Sequence, residues 1–202
     1  PLELGPDNVV FLDIDGVLAN TRHREHHVEQ IPKQWGKFFD AMPDDGLHNE
    51  GLALYKALEA SGATIVYLTG RNEHYRTHTA NWLFEHGFSL KWDLVMRPAG
   101  FSMPLARWKT EVLSLAVGQK SYSYIHPWWS AGFPLGGDPS NALATDSQVV
   151  IVDDDARVIQ AAEDAGFTAL QAGWQPKHPG LINTKTGGRR GGQHGVRNLQ
   201  SR

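Results

Sequence analysis

Three short apolar runs, each stopping abruptly at acidic or hydroxyl-bearing residues, constrain the fold of this chain more than any other feature. Asn8–Leu12 reads Asn-Val-Val-Phe-Leu and stops at Asp13-Ile14-Asp15-Gly16. Ala63–Leu68 stops at Thr69-Gly70-Arg71, and Gln148–Val152 stops at Asp153-Asp154-Asp155. A continuous apolar run of that length suits a strand buried on both faces of a parallel sheet. Leu94–Met96 is a shorter candidate. Helical patterns separate the runs at Gly51–Ser61, Glu73–Glu85, Leu105–Val117 and Ala156–Ala165, with stops at Gly62, Gly87, Gly118 and Gly166. Strands alternating with helices predict an α/β fold around a parallel sheet. Such sheets bind ligands at the carboxyl ends of their strands. The three polar clusters fall there.

Two segments break the alternation. Asn20–Asn49 is polar and histidine-rich, with an aromatic patch at Trp35, Phe38 and Phe39. Gln119–Ser147 holds Tyr122, Tyr124, His126, Trp128, Trp129 and Phe133 among glycines and prolines. Loops this long are usually functional or disordered, and the aromatic content argues against disorder. Both read as insertions over the strand ends. From Lys185 the chain lacks apolar periodicity and reads as a disordered, basic C-terminal tail. The expected organisation is one domain over 1–184, with a small cap at about 20–49 and an aromatic-rich insertion at about 119–147, then a tail over 185–202.

Composition narrows the function. Of 202 residues none is Cys, which excludes disulfides, thiol catalysis and cysteine-held metals. No apolar stretch is long enough to span a bilayer, and no signal peptide is visible, so the expected address is cytoplasmic. The net charge of −3 is unevenly spread. All 22 acidic residues lie at or before Asp164, whereas six of the 19 Lys and Arg fall at or after Lys177. An acidic body suggests multivalent cations, and a basic tail suggests polyanions.

Asp13 and Asp15 turn to the same side of the strand end, where Gly16 lets the backbone bend. Carboxylates that close repel and need a cation or a shared proton. Asp153 and Asp154 supply further oxygens, a donor set suited to Mg²⁺. One carboxylate then attacks phosphorus while a second handles the leaving-group proton. Lys109 near a helix start and Thr69 beside Gly70 are placed to stabilise a transferring phosphoryl group.

These motifs resemble the haloacid dehalogenase (HAD) superfamily of aspartate-nucleophile phosphohydrolases, from Val9 to about Trp174. The resemblance implies a Rossmann-like HAD fold. Phe11-Leu12-Asp13-Ile14-Asp15-Gly16-Val17-Leu18 looks like the first motif, which makes Asp13 the nucleophile and Asp15 the general acid/base. Val17 stands where the commonest pattern has Thr. By the same resemblance Thr69 binds the phosphoryl group, and Lys109 fits the third motif. Asp153 and Asp154 hold Mg²⁺ together with Asp13 and the backbone carbonyl of Asp15; Asp154 is favoured as the direct ligand. Asp155 reads as a helix N-cap. Within the superfamily the local order is similar to the 3′-phosphatase domain of polynucleotide kinase. That similarity suggests substrate contacts from Gly70, Arg71, Arg76 and Arg97. No Gly-x-x-x-x-Gly-Lys-Ser/Thr loop is present, so a stand-alone phosphatase is expected.

Three functions are consistent with these residues. The first is Mg²⁺-dependent removal of 3′-phosphates from nucleic-acid ends, with the tail adding electrostatic contact to the polymer. The second is a phosphatase of nucleoside monophosphates or other small esters, closed by the cap. The third is a non-enzymatic nucleic-acid-binding module, against which the intact Asp13, Asp15, Thr69, Lys109 and Asp154 set argues. His23, His26 and His27 lack a zinc signature. Trp128 and Trp129 are candidates either for base stacking or for a small satellite core.

Overall fold

The structure, a computed structural model, describes residues 4–91, 93–117 and 148–175. Its elements run β1 (Asn8–Leu12), β2 (Ala19–Asn20), α1 (Arg22–Glu29), α2 (Trp35–Asp40), β3 (Gly46–Leu47), α3 (Asn49–Ser61) and β4 (Thr64–Asn72). They continue with α4 (Arg76–Glu85), β5 (Asp93–Arg97), α5 (Leu105–Ala116), β6 (Gln148–Asp153), α6 (Ala156–Asp164) and β7 (Thr168–Gln171). Five strands form one sheet in the order β5-β4-β1-β6-β7, and every pairing is parallel. This is the Rossmann-like arrangement expected of the HAD fold.

Alternation along β1 builds the two halves of the core. Val10 and Leu12 face one side and pack with Tyr55 and Leu58 of α3 and Trp82 and Leu83 of α4. Val9 and Phe11 face the other and pack with Trp108 and Val112 of α5 and Val158 and Ala162 of α6. Full burial of each such side chain contributes about 1.5–3 kcal/mol. Both faces of the central strand are therefore apolar, which is why its sequence shows no polar alternation. α3 ends where expected: Gly62 takes φ 81°, a left-handed conformation open to glycine.

Three features depart from the expected boundaries. β4 runs past Leu68 through Thr69, Gly70 and Arg71, with an irregular register against β5 between Thr69 and Asn72. Glu73–Tyr75 is a separate 3-10 turn ahead of α4. β7 was not expected, because its half-exposed Thr-Ala-Leu-Gln lacks the apolar signature of the other strands. The segment between β2 and β3 carries α1 and α2, and the antiparallel pairing of Ala19 with Leu47 and Asn20 with Gly46 draws its ends together. The aromatic insertion at 119–147 and the basic tail lie outside the described residues. Among the described residues, no helix is long and apolar enough to cross a membrane.

Candidate active site

Asp13 continues the line of β1: its N–H donates to the Val152 carbonyl at 2.9 Å. Two residues beyond Phe11, its side chain turns to the same face, toward α5. There it meets Lys109, which follows the core residue Trp108 and is fully buried. Lys109 Nζ lies 2.9 Å from Asp13 Oδ2 and 2.6 Å from Asp153 Oδ2. Burial pushes the Asp13 carboxyl well above the usual carboxylate range, an effect Lys109 opposes and Asp153 and Asp154 reinforce. Burial pulls the Lys109 ammonium down, but Asp13 and Asp153 outweigh it and raise its pKa. The lysine is therefore a fixed positive charge.

Asp13, Asp153 and Asp154 each offer one carboxylate oxygen, and these three lie within 4.8 Å of one another. Asp153 Oδ1 accepts from the Asp155 N–H at 2.8 Å, so both its oxygens are engaged. Gly16 makes this crowding possible. It takes φ 85°, and a Cβ there would lie 2.6 Å from Asp154 Cγ. Three hard oxygen donors around one buried ammonium leave a deficit of positive charge that fits a divalent cation such as Mg²⁺. Asp155 caps α6, accepting from the Arg157 N–H at 2.9 Å.

The Asp15 carboxylate stands apart from that group. Its Oδ1 accepts from Arg24 Nη2 at 2.7 Å and from Arg71 Nη2 at 2.6 Å. Both guanidinium groups also bind Asp45: Arg24 Nη2 and Arg71 Nη2 each donate to Asp45 Oδ2 at 2.7 Å, and Arg24 Nε donates to Oδ1 at 2.6 Å. His23 Nε2 lies 2.9 Å from the same Oδ1. The Trp82 indole N–H anchors the Asp45 carbonyl at 2.8 Å, and the Phe38 ring centroid lies 4.1 Å from the Arg24 guanidinium. Burial works against charge on Asp15, but Arg71 and Arg24 prevail and hold its pKa at about 2.

The remaining expected site residues divide. Thr69 is fully buried, and its Oγ1 accepts from the Arg71 N–H at 3.2 Å; Gly70 reaches the cavity wall. Arg71 is spent on Asp15 and Asp45 rather than turned to solvent, and it carries no exposed surface. Arg76 is exposed and pairs with Glu73 and the Leu94 carbonyl. Arg97 lines the cavity while Nη2 donates to the carbonyls of Phe101 and Met103 at 3.0 and 2.6 Å. His26 and His27 pack ring on ring, and no histidine joins a metal-ligating group among the described residues. Trp128 and Trp129 lie outside those residues.

Sequence reasoning missed Arg24, Asp45 and Gln175. The first two sit in the polar insertion, where nothing marks a charge for burial. Gln175 follows β7 and is buried. Its Nε2 donates to Thr21 Oγ1 at 2.8 Å and Glu25 Oε1 at 2.7 Å, and its Oε1 lies 2.7 Å from His48 Nε2.

The site opens into a cavity of about 500 Å³. Asp13, Asp15, Asp153 and Asp154 line it, with Arg97 and Arg157 from the sheet side and Lys33 from the insertion.

Residues 2–111 match the model of a family described as HAD superfamily, subfamily IIIB (acid phosphatase). No protein with a curated description matches the chain in sequence. Two solved structures of the Pnkp1/Rnl/Hen1 RNA repair complex are similar in fold. One covers 81% of this chain and 42% of that chain, at 18% identity and a TM-score of 0.54. The other covers 82% and 45%, at 17% identity and a TM-score of 0.55. This chain thus spans less than half the length of either. A class C acid phosphatase from Bacillus anthracis, solved with tungstate bound, covers 56% of this chain and 48% of its own, at 19% identity and a TM-score of 0.42.

Proposed function

Because the chain belongs to the HAD superfamily, subfamily IIIB (acid phosphatase), and is a phosphatase, we propose that it is a Mg²⁺-dependent phosphomonoesterase that removes 3′-phosphates from nucleic-acid ends. One observation carries the chemistry: Lys109 buried between Asp13 and Asp153, beside Asp154, at the carboxyl edge of the sheet. Asp13 is the nucleophile. Its carboxylate forms a bond to phosphorus as the bond to the leaving oxygen breaks, and that oxygen takes a proton from solvent through Asp15, which Arg24 and Arg71 hold ionised at rest so that it carries the proton only in transit. Water then attacks the aspartyl-phosphate, its proton passes to Asp15, phosphate departs and the Asp13 carboxylate is restored. Lys109 and the backbone about Thr69 and Gly70 neutralise the phosphoryl oxygens. Arg24 and Arg71 orient Asp15, and Asp45 orients both arginines.

Asp13 and Asp154 would hold Mg²⁺ directly, with Asp153 in support because Lys109 and the Asp155 N–H already occupy its oxygens. The ion would supply charge neutralisation at the phosphoryl group. The nucleic-acid reading draws on the open cavity with Lys33, Arg97 and Arg157 along it, and on the likeness in fold to the RNA repair complexes. The test is phosphate release, with and without Mg²⁺, from a 3′-phosphorylated oligonucleotide, its 5′-phosphorylated counterpart and nucleoside monophosphates. Preference for the 3′-end with Mg²⁺ supports the reading. Preference for mononucleotides moves the assignment to small esters, and equal turnover under chelation removes the metal.

A further inference from the structure

α1 has almost no apolar surface to hold it in place. It reads Arg-His-Arg-Glu-His-His-Val-Glu, and only Arg24 and Val28 are buried. A helix without an apolar stripe depends on polar contacts. One set is made by Arg24 itself, to Asp15 and Asp45. The other is made by Gln175, just past β7. Gln175 is buried, and its amide is fully used. Its Oε1 accepts from the Thr21 N–H at 3.2 Å and lies 2.7 Å from His48 Nε2. Its Nε2 donates to Thr21 Oγ1 at 2.8 Å and to Glu25 Oε1 at 2.7 Å. A reversed amide would set its donors against the Thr21 N–H and its oxygen against the Glu25 carboxylate. These partners therefore fix its orientation, and His48 Nε2 carries the hydrogen. The adjacent Trp174 indole donates to the Val17 carbonyl at 2.9 Å, between Asp15 and α1.

We propose that Gln175 is a positioning residue for Asp15: it fixes the start of α1 through Thr21 and Glu25, so that Arg24 meets the Asp15 carboxylate. The inference rests on the proposed role of Asp15 and deepens it by naming what sets its aim. Both arginines bind Asp15 Oδ1, which leaves Oδ2 to carry the proton. Arg71 comes from β4, within the main sheet, whereas Arg24 comes from a helix with little buried surface. The aim of Asp15 is therefore only as firm as the seat of α1. A misplacement of about 1 Å in a reacting group can cost about a hundredfold in rate. Gln175 is well placed to prevent it. β7 pairs with β6 through Gln171 and Asp153, and the Ala172 N–H donates to the Asp153 carbonyl at 2.9 Å. The tie thus sets the helix that aims Asp15 against the strand end that carries Asp153.

The leaving group provides the test. An alkyl ester needs a proton on its departing oxygen, whereas p-nitrophenolate departs without one. The experiment measures kcat and kcat/KM for p-nitrophenyl phosphate and for whichever of thymidine 3′- and 5′-phosphate wild type turns over faster. kcat/KM covers the steps up to phosphoryl transfer to Asp13, and kcat adds the release by water, which again uses Asp15. Gln175→Ala should lower kcat/KM about tenfold or more for the thymidine ester but keep it within about twofold for p-nitrophenyl phosphate, whose kcat falls. A merely structural role would lower all of these values by one factor. Gln175→Glu sets a second carboxylate against Glu25. Adding Glu25→Gln exchanges donor and acceptor across the same contact and should restore kcat/KM for the thymidine ester to within about threefold of wild type. Equal losses on both esters in Gln175→Ala, undiminished turnover of the thymidine ester, or a double variant no better than Gln175→Glu overturns the inference alone. Asp15→Asn is the standard. A loss no greater for the thymidine ester than for p-nitrophenyl phosphate there overturns the reading of Asp15, and the inference with it.

Discussion

Asp13 and Asp15 are two residues apart, yet they sit in opposite electrostatic settings. On the α5 side two carboxylates, Asp13 and Asp153, flank one buried ammonium, and a third, Asp154, lies beside them. On the α1 side two carboxylates, Asp15 and Asp45, are matched by two buried guanidinium groups, Arg24 and Arg71. The first group is short of positive charge and offers oxygens that could hold a divalent cation. The second is balanced and holds a carboxylate in position without outside help. The difference teaches that charge deficit, rather than the number of acidic residues, marks the place for an ion.

The comparison breaks most completely at its first residue. Asp13→Asn should lower phosphate release by about a thousandfold or more while the circular dichroism spectrum is kept; residual activity near wild type would remove the nucleophile assignment. Asp45→Asn should be the most damaging change to stability, because it leaves two buried guanidinium groups facing one carboxylate. A loss of about 3–5 kcal/mol is expected in urea denaturation, and a loss under 1 kcal/mol would mean that the network does not hold its charges as described.

The unbalanced side should respond to metal instead. Mg²⁺ at a hundred times its dissociation constant should stabilise wild type by about 2.7 kcal/mol. Asp154→Asn should lose that gain yet, without metal, stay within about 1 kcal/mol of wild type, since it relieves repulsion on Asp13. Equal Mg²⁺ stabilisation in both proteins would place the ion elsewhere. Gln175→Ala removes the tie from β7 to α1 and α3 and should cost about 1–3 kcal/mol, read as a shift of the denaturation midpoint. Asp155→Ala removes the α6 cap and an exposed pairing with Arg157 and should cost about 1 kcal/mol, with catalysis unchanged; a large fall in activity would show that Asp155 has a part in the chemistry.

The two sides also differed in how far the sequence disclosed them. Asp13, Asp153 and Asp154 close apolar runs, so strand burial announces where they emerge, and Lys109 follows the apolar face of an amphipathic helix. Arg24 and Asp45 carry no such marker. Arg24 stands among exposed histidines on α1, and Asp45 lies in a turn whose neighbour Asp44 is exposed. Their burial depends on pairing across 21 residues, and a pairing partner is invisible to local periodicity. For the same reason Arg71 reads as a surface charge available to substrate, although it is among the largest fully buried side chains. β7 escaped because a half-exposed edge strand has no need of an apolar run.

The position of β1 has a consequence for how the protein is made. Its two neighbours in the sheet arrive at different times: β4 ends at Asn72, but β6 begins only at Gln148. At roughly 5–20 residues per second, a ribosome takes roughly four to fifteen seconds to synthesise the stretch between them. Throughout that interval a nascent chain carries β1 with one edge unpaired and both faces apolar, a template for chaperones or for another emerging chain. Asp13 is thus translated about 140 residues ahead of Asp153 and Asp154, so the acidic group they form together is not complete until β6 has left the tunnel.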